Sequence, residues 1–271
     1  MIPILDLKRQ IVPIRAEIDA AIKKVIDGAN FVFGQEIQEF EEELVKYSGA
    51  KCAVGVSNGT DAIKLALVVL GIKPGEGVLC PAFTYYASAG AIASMGAIPV
   101  FVDIEPDSYT ISLEAIEKAL KKKNKLKIKA ILPVHLYGQC ADIDGILKIA
   151  KTHKLKVVED TAQAFGADYK GKKAGTFGDC GALSLFPGKN LGAFGDAGAI
   201  LTNNQTVAER LKIFRNQGNK EKYYHLVIGY NNRLDTLQAA ILKVKLKYLD
   251  GWNKRRQENA EYFNQQLKGL P

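Results

Sequence analysis

Short apolar runs alternate with longer amphipathic stretches along almost the whole chain, and this constrains the fold more than any other feature. Residues 52–57, 78–81, 98–103, 129–134, 156–159, 181–186 and 199–202 read as strands. Residues 14–28, 35–47, 60–70, 85–95, 113–122, 143–153 and 207–215 carry apolar residues at helical spacing. A longer helix is expected from Leu234 onward, with Leu234, Leu237, Ile241 and Val244 on one stripe. Strands separated by helices cannot form hairpins, so successive strands run parallel and the helices cover the sheet. The expected fold is a three-layer α/β/α arrangement around a mostly parallel seven-stranded sheet. Gly71 followed by Lys73-Pro74-Gly75 marks one helix end and turn.

A length of 271 residues suits one large α/β domain, or one with part of a second. Cys52, Cys80, Cys140 and Cys180 form no CxxC pair and fit no zinc spacing, so buried free thiols and no metal are expected. The apolar stretch within Met1–Lys8 is too short for a signal peptide, and no run reaches membrane-span length. These features point to a cytoplasmic protein without membrane contact. The net charge of +8 is concentrated in residues 118–129, KALKKKNKLKIK. No aromatics interleave and no DNA-binding motif accompanies it, so it reads as a solvated helix end rather than a nucleic-acid surface.

Three segments carry chemistry. In 56–61, VSNGTD, a strand enters a glycine turn and then a helix, whose unpaired N–H groups and dipole suit a phosphate; capping by Ser57 or Asn58 explains the same residues. In 157–163, VVEDTAQ, an apolar strand delivers two carboxylates at its carboxyl end, where open α/β sheets place ligands. A buried Asp160 needs a cation or several donors. A pyridinium nitrogen, a metal or a helix terminus each supplies these. In 184–192, SLFPGKNLG, a strand leads into a tight loop with a single lysine. An apolar loop depresses the pKa of such an amine and frees it for Schiff-base chemistry. The glycines at 188, 192, 195 and 198 lack dinucleotide-binding GxGxxG spacing.

Together with PAFTYYAS, PVHLYGQ, GDAGAI and GYNNRLDTLQAAIL, these segments make the chain resemble the DegT/StrS family of sugar aminotransferases, from about Leu5 to the carboxyl end. The resemblance implies the large domain of a fold type I enzyme dependent on pyridoxal 5′-phosphate (PLP). Residues 1–250 would form that domain, and 251–271 would begin a small carboxyl-terminal domain whose remainder is absent. Lys189 would be the catalytic lysine that forms the Schiff base. Asp160 would pair with the pyridine nitrogen and Gln163 would lie near the ring hydroxyl. Gly59, Thr60 and Ser184 would hold the phosphate, and Tyr85 would stack on the ring. Asn231 would reach the phosphate of a neighbouring subunit and Arg233 its sugar nucleotide, in a homodimer with shared sites. His135 would either line the substrate site or satisfy a core hydrogen bond.

The implied reaction moves an amino group from L-glutamate to a UDP- or dTDP-linked keto-sugar, most similar to 3-keto-glucuronate aminotransferases. Two rivals share the features. A related sugar dehydratase would carry histidine in place of Lys189, and a regulatory PLP-binding protein would bind without turnover.

Overall fold

The computed structural model describes residues 5–122, 126–221 and 223–269. The first four residues of the amino-terminal stretch and the centre of the lysine-rich segment, 123–125, lie outside them, as do 270–271. Seven strands form one sheet: β1 Cys52–Val56, β2 Gly77–Pro81, β3 Ile98–Val102, β4 Ile128–Ile131, β5 Lys156–Asp160, β6 Cys180–Ser184 and β7 Gly198–Thr202. Their order across the sheet is β1-β7-β6-β5-β4-β2-β3. Every pairing is parallel except those of β7, which runs antiparallel to both β6 and β1. The expected architecture is therefore the observed one. The reversal at β7 follows from its connection: a loop rather than a helix joins it to β6.

Alternation along the strands sorts their residues between two cores. Val78, Cys80, Ala130, Val158, Ala182 and Ile200 face one side. There they meet α3 (Gly59–Val69), α4 (Tyr86–Ser94) and α7 (Gln205–Phe214). Leu183, Ala199 and Leu201 face the other side. They pack with α2 (Gln35–Ser48) and α8 (Thr236–Leu246), while Leu79, Ile131 and Val157 pack with α5 (Leu113–Lys121) and α6 (Ile143–His153). Helix α1 (Arg15–Gly28) lies outside this layer, with Ile18 against Ile241 and Val244. Burying a side chain of this kind contributes about 1.5–3 kcal/mol.

The long helix expected from Leu234 is two helices. Chain geometry breaks at Lys247 and Tyr248, and α9 runs Leu249–Gln266. The apolar stripe ends with α8, and only Leu249 of α9 is buried. The expected domain boundary after 250 falls inside α9. Among the described residues no helix is long and apolar enough to cross a membrane. All four cysteines are free thiols, with Cys80 and Cys180 buried but Cys52 and Cys140 only partly so.

Strand β1 is an edge, and edges expose unpaired backbone groups. Here a buried ion pair covers two of them, the N–H and C=O of Gly55. Gly55 N–H donates to Glu41 Oε1 at 2.8 Å, and Arg215 Nη1 donates to Gly55 O at 2.6 Å. The same Arg215 nitrogen is 2.5 Å from Glu41 Oε1, with both side chains under a tenth exposed. Removing one member of such a pair strands the other charge in the interior. Arg215→Met is expected to lower the unfolding free energy by about 3–5 kcal/mol in urea titrations, and adding Glu41→Gln should restore part of the loss. A single-variant loss below about 1 kcal/mol would contradict this role for the pair.

Candidate functional site

The parallel strands β4, β5 and β6 end together, and the candidate residues gather at these carboxyl ends. Asp160 closes β5 and is 5% exposed. Its carboxylate is held at both oxygens: Ser88 Oγ donates to Oδ2 at 2.8 Å and Ala162 N–H to Oδ1 at 3.1 Å. Thr84 Oγ1 lies 2.9 Å from Ser88 Oγ and continues the hydroxyl chain outward. Burial pushes the Asp160 carboxyl above its ordinary pKa, opposed by the Ser88 and Ala162 hydrogen bonds and by the charge of Lys189.

Lys189 sits half-buried at the tip of the loop leaving β6. Burial lowers its pKa, and the nearby Asp160 charge opposes that. Each group thus drifts toward neutrality while the two face each other alone. An added cation at Asp160 favours the carboxylate, and a lowered lysine pKa makes the amine more available as a nucleophile.

Gly59 begins α3 where that helix meets the end of β6. A Cβ at Gly59 would stand 2.6 Å from Ser184 Cβ and 3.0 Å from its Cα, so only glycine permits the contact. Asn58 caps the helix, accepting from Asp61 N–H at 2.8 Å. Among the described residues the N–H groups of Gly59 and Thr60 have no partner. The capping and phosphate readings are therefore compatible: one uses Asp61, the other leaves two donors beside Ser184. A buried carboxylate, a lysine and an anion-binding helix end fit PLP in its ring, aldehyde and phosphate respectively.

Gln163 is half-buried and lines a cavity of about 280 Å³ with Tyr137, Asn190 and Asn253. Tyr85 stands just before α4 and is 71% exposed, so it is no core aromatic. Asn231 and Arg233 lie elsewhere, on the strip bridged to β1 at Val56 and to Asn216. Asn231 is exposed; Arg233 is half-buried, its guanidinium 5.8 Å from the Phe33 ring centre.

His135 lies inside the protein rather than on an open surface. It is wholly buried and both ring nitrogens are used. Ala141 N–H donates to Nδ1 at 3.1 Å, which leaves the proton on Nε2, 2.9 Å from Glu159 Oε2. Of the two expectations, the core hydrogen bond is the one seen. Glu159 also accepts from the N–H groups of Gly175, Phe177 and Gly178, at 2.7 to 2.9 Å. The second carboxylate of the VVEDTAQ segment is thus a structural anchor. The sequence alone assigned no role to Ser88 or Thr84: Ser88 lies in the first turn of α4 and Thr84 in the bend before it, and only the fold brings their hydroxyls to Asp160. His135→Ala is expected to cost about 3 kcal/mol in urea unfolding, one charged hydrogen bond plus a cavity; a loss under about 1 kcal/mol would refute the anchor.

Comparison with known proteins identifies the family and the fold. The profile of the DegT/DnrJ/EryC1/StrS aminotransferase family matches residues 13–271. The UDP-2-acetamido-2-deoxy-3-oxo-D-glucuronate aminotransferase of Pseudomonas aeruginosa is 42% identical over 268 residues, 99% of this chain and 74% of that protein. A protein of Geobacillus stearothermophilus named a pleiotropic regulatory protein is 46% identical over 267 residues, 98% of this chain and 71% of that one. The crystal structure of Streptomyces venezuelae DesV in complex with a ketimine intermediate superposes with a TM-score of 0.95 at 45% identity, covering 100% of this chain and 72% of that chain. The chain belongs to the DegT/DnrJ/EryC1/StrS aminotransferase family.

Proposed function

We propose that this protein is a PLP-dependent aminotransferase that moves an amino group from L-glutamate to a UDP- or dTDP-linked 3-keto-sugar. The observation that carries the reading is Lys189 beside the buried Asp160, at the carboxyl ends of parallel strands.

Bound PLP supplies an electron sink for the carbon that loses its proton. Asp160 would keep the ring nitrogen protonated; at roughly 4 Å and an effective dielectric near 20 such a pair would be worth about 4 kcal/mol before desolvation. The free N–H groups of Gly59 and Thr60, with the Ser184 hydroxyl, hold the phosphate. Tyr85 would cover one ring face and Gln163 would lie near the ring hydroxyl. Lys189 would hold the cofactor covalently through its amine and, when freed, would be the group that accepts and returns the proton of the reacting carbon. The net exchange would turn L-glutamate into 2-oxoglutarate and the keto-sugar into its amine, the water consumed in releasing the keto acid being returned when the keto-sugar takes up the amine.

Residues 1–250 make the cofactor-binding unit on this reading. Helix α9 exposes Tyr262, Phe263 and Leu267, as suits the start of a smaller unit. A homodimer with shared sites is part of the proposal. Exposed Tyr224, Leu226 and Ile228 (93%) precede Asn231 and Arg233, giving an apolar surface next to the two residues assigned to a neighbour's phosphate and sugar nucleotide. Free thiols suit a cytoplasmic setting. A dehydratase reading is disfavoured by lysine at 189. A regulatory PLP-binding role, which echoes the name of the Geobacillus relative, would use the same lysine–carboxylate pair and differs in showing no turnover.

The test is the visible absorbance of the protein with PLP, before and after L-glutamate. A lysine-bound cofactor band that glutamate abolishes supports the reading; a band indifferent to every amino donor sinks transamination and leaves binding. Lys189→Ala is expected to lose the band and all turnover. Asp160→Asn should retain PLP but lose roughly 10²–10³-fold in kcat, because the ring nitrogen loses its charged partner. A near-normal kcat in either variant contradicts the assigned role.

A further inference from the structure

The loop that carries Lys189 is gripped by one face of the last two helices. It doubles back on itself: Lys189 N–H donates to Phe186 O at 2.9 Å and Ala193 N–H to Leu185 O at 2.8 Å. The return is so close that a Cβ on Gly192 would lie 2.2 Å from Pro187 O. Three side chains then hold alternate positions beyond the lysine. Asn253 of α9 accepts from Asn190 Nδ2 at 2.7 Å. Lys245 of α8 donates to the Gly192 carbonyl. Gln238 of α8 accepts from Phe194 N–H at 2.8 Å. Gln238 and Lys245 are two helical turns apart, on one face. Asn253 also donates to Phe165 O at 3.3 Å, which ties the lysine loop to the turn bearing Gln163.

Lys245 is the unexpected member. It is 1% exposed, and no carboxylate pairs with it among the described residues. Its ammonium lies 5.5 Å from the Phe194 ring centre and 5.8 Å from that of Trp252. Burial pushes its pKa down to about 8. An apolar side chain of similar length would fill the space without burying a cation. What it would lose is the grip on the Gly192 carbonyl, three residues from Lys189.

We propose that Lys245, assisted by Gln238 and Asn253, is a positioning residue that fixes the loop and thereby the place of the Lys189 amine. The proposal rests on the reading of Lys189 as the cofactor lysine, but its first test does not. Backbone hydrogen exchange is measured on the cofactor-free protein and its Lys245→Met variant. The expected result is exchange at Lys189 and Ala193 accelerated about tenfold, with the strand amides of Val54 and Val56 unchanged. PLP is then added. The expected result is a Lys189 band that forms about fivefold more slowly and titrates with a midpoint moved by about half a unit. Equal acceleration in loop and strands would make Lys245 a general stability residue and overturn the proposal, as would exchange within twofold of wild type everywhere. A local effect on exchange with no PLP band in either protein supports the positioning and counts against the cofactor reading instead. If Lys245→Met does not fold, the half-buried Asn253→Ala replaces it. A loop-confined acceleration of about threefold is then expected, and none at all overturns the proposal.

Discussion

Four hydrogen bonds converge on the Glu159 carboxylate, one from His135 and three from backbone N–H groups of the 175–178 turn. A wholly buried carboxylate is tolerable only when so many donors surround it. In return it clamps the end of β5 between the segment after β4 and the turn before β6. Asp160 is the next residue, so its direction is settled before any ligand arrives. Adjacent residues on a strand point to opposite faces. Glu159 turns into the protein and is consumed by structure, while Asp160 keeps lone pairs for a guest.

The pair at the site is built to be unsatisfied. Burial works against charge on both Asp160 and Lys189, and each is the other's partial remedy. Hydrogen bonds from Ser88 and Ala162 steer the carboxylate without fully neutralising its need for a cation. A ligand bringing positive charge to Asp160 and an electrophilic carbon to Lys189 relieves both groups. Electrostatic preorganisation of this kind is prepared during folding, so nothing needs to reorganise when the ligand enters.

The sheet, its covering helices and the three segments of the site were legible because they depend on local pattern. Strand runs of four to six apolar residues and helical stripes survive in almost any tertiary context. Other features depend on residues far apart. Arg215 and Glu41 meet over Gly55 across 174 positions, which no spacing encodes. Lys245 reads as one more surface lysine in KVKLK, and only the packing of Trp252 and Phe194 reveals it as buried. His135 stayed ambiguous because the deciding partner, Ala141 N–H, is supplied by a tight turn. The break at Lys247–Tyr248 interrupts helix-favouring residues, and the sequence has no glycine or proline there to announce it.

The antiparallel seat of β7 also bears on how the chain assembles. Cys52 pairs with Thr202, and β1 pairs along its length with β7, its one other bridge among the described residues running from Val56 to the still later Arg233. The first strand to be synthesised therefore waits for the last. At ordinary rates of translation about 8–30 s pass before its partner leaves the ribosome. The β2–β3 and β4–β5 pairings close over shorter loops and can form earlier. β1 must remain unpaired through that interval, with Glu41 upstream and Arg215 arriving later still. Completion of this sheet is a late, long-range event, and the edge strand is the segment most in need of shelter until it happens.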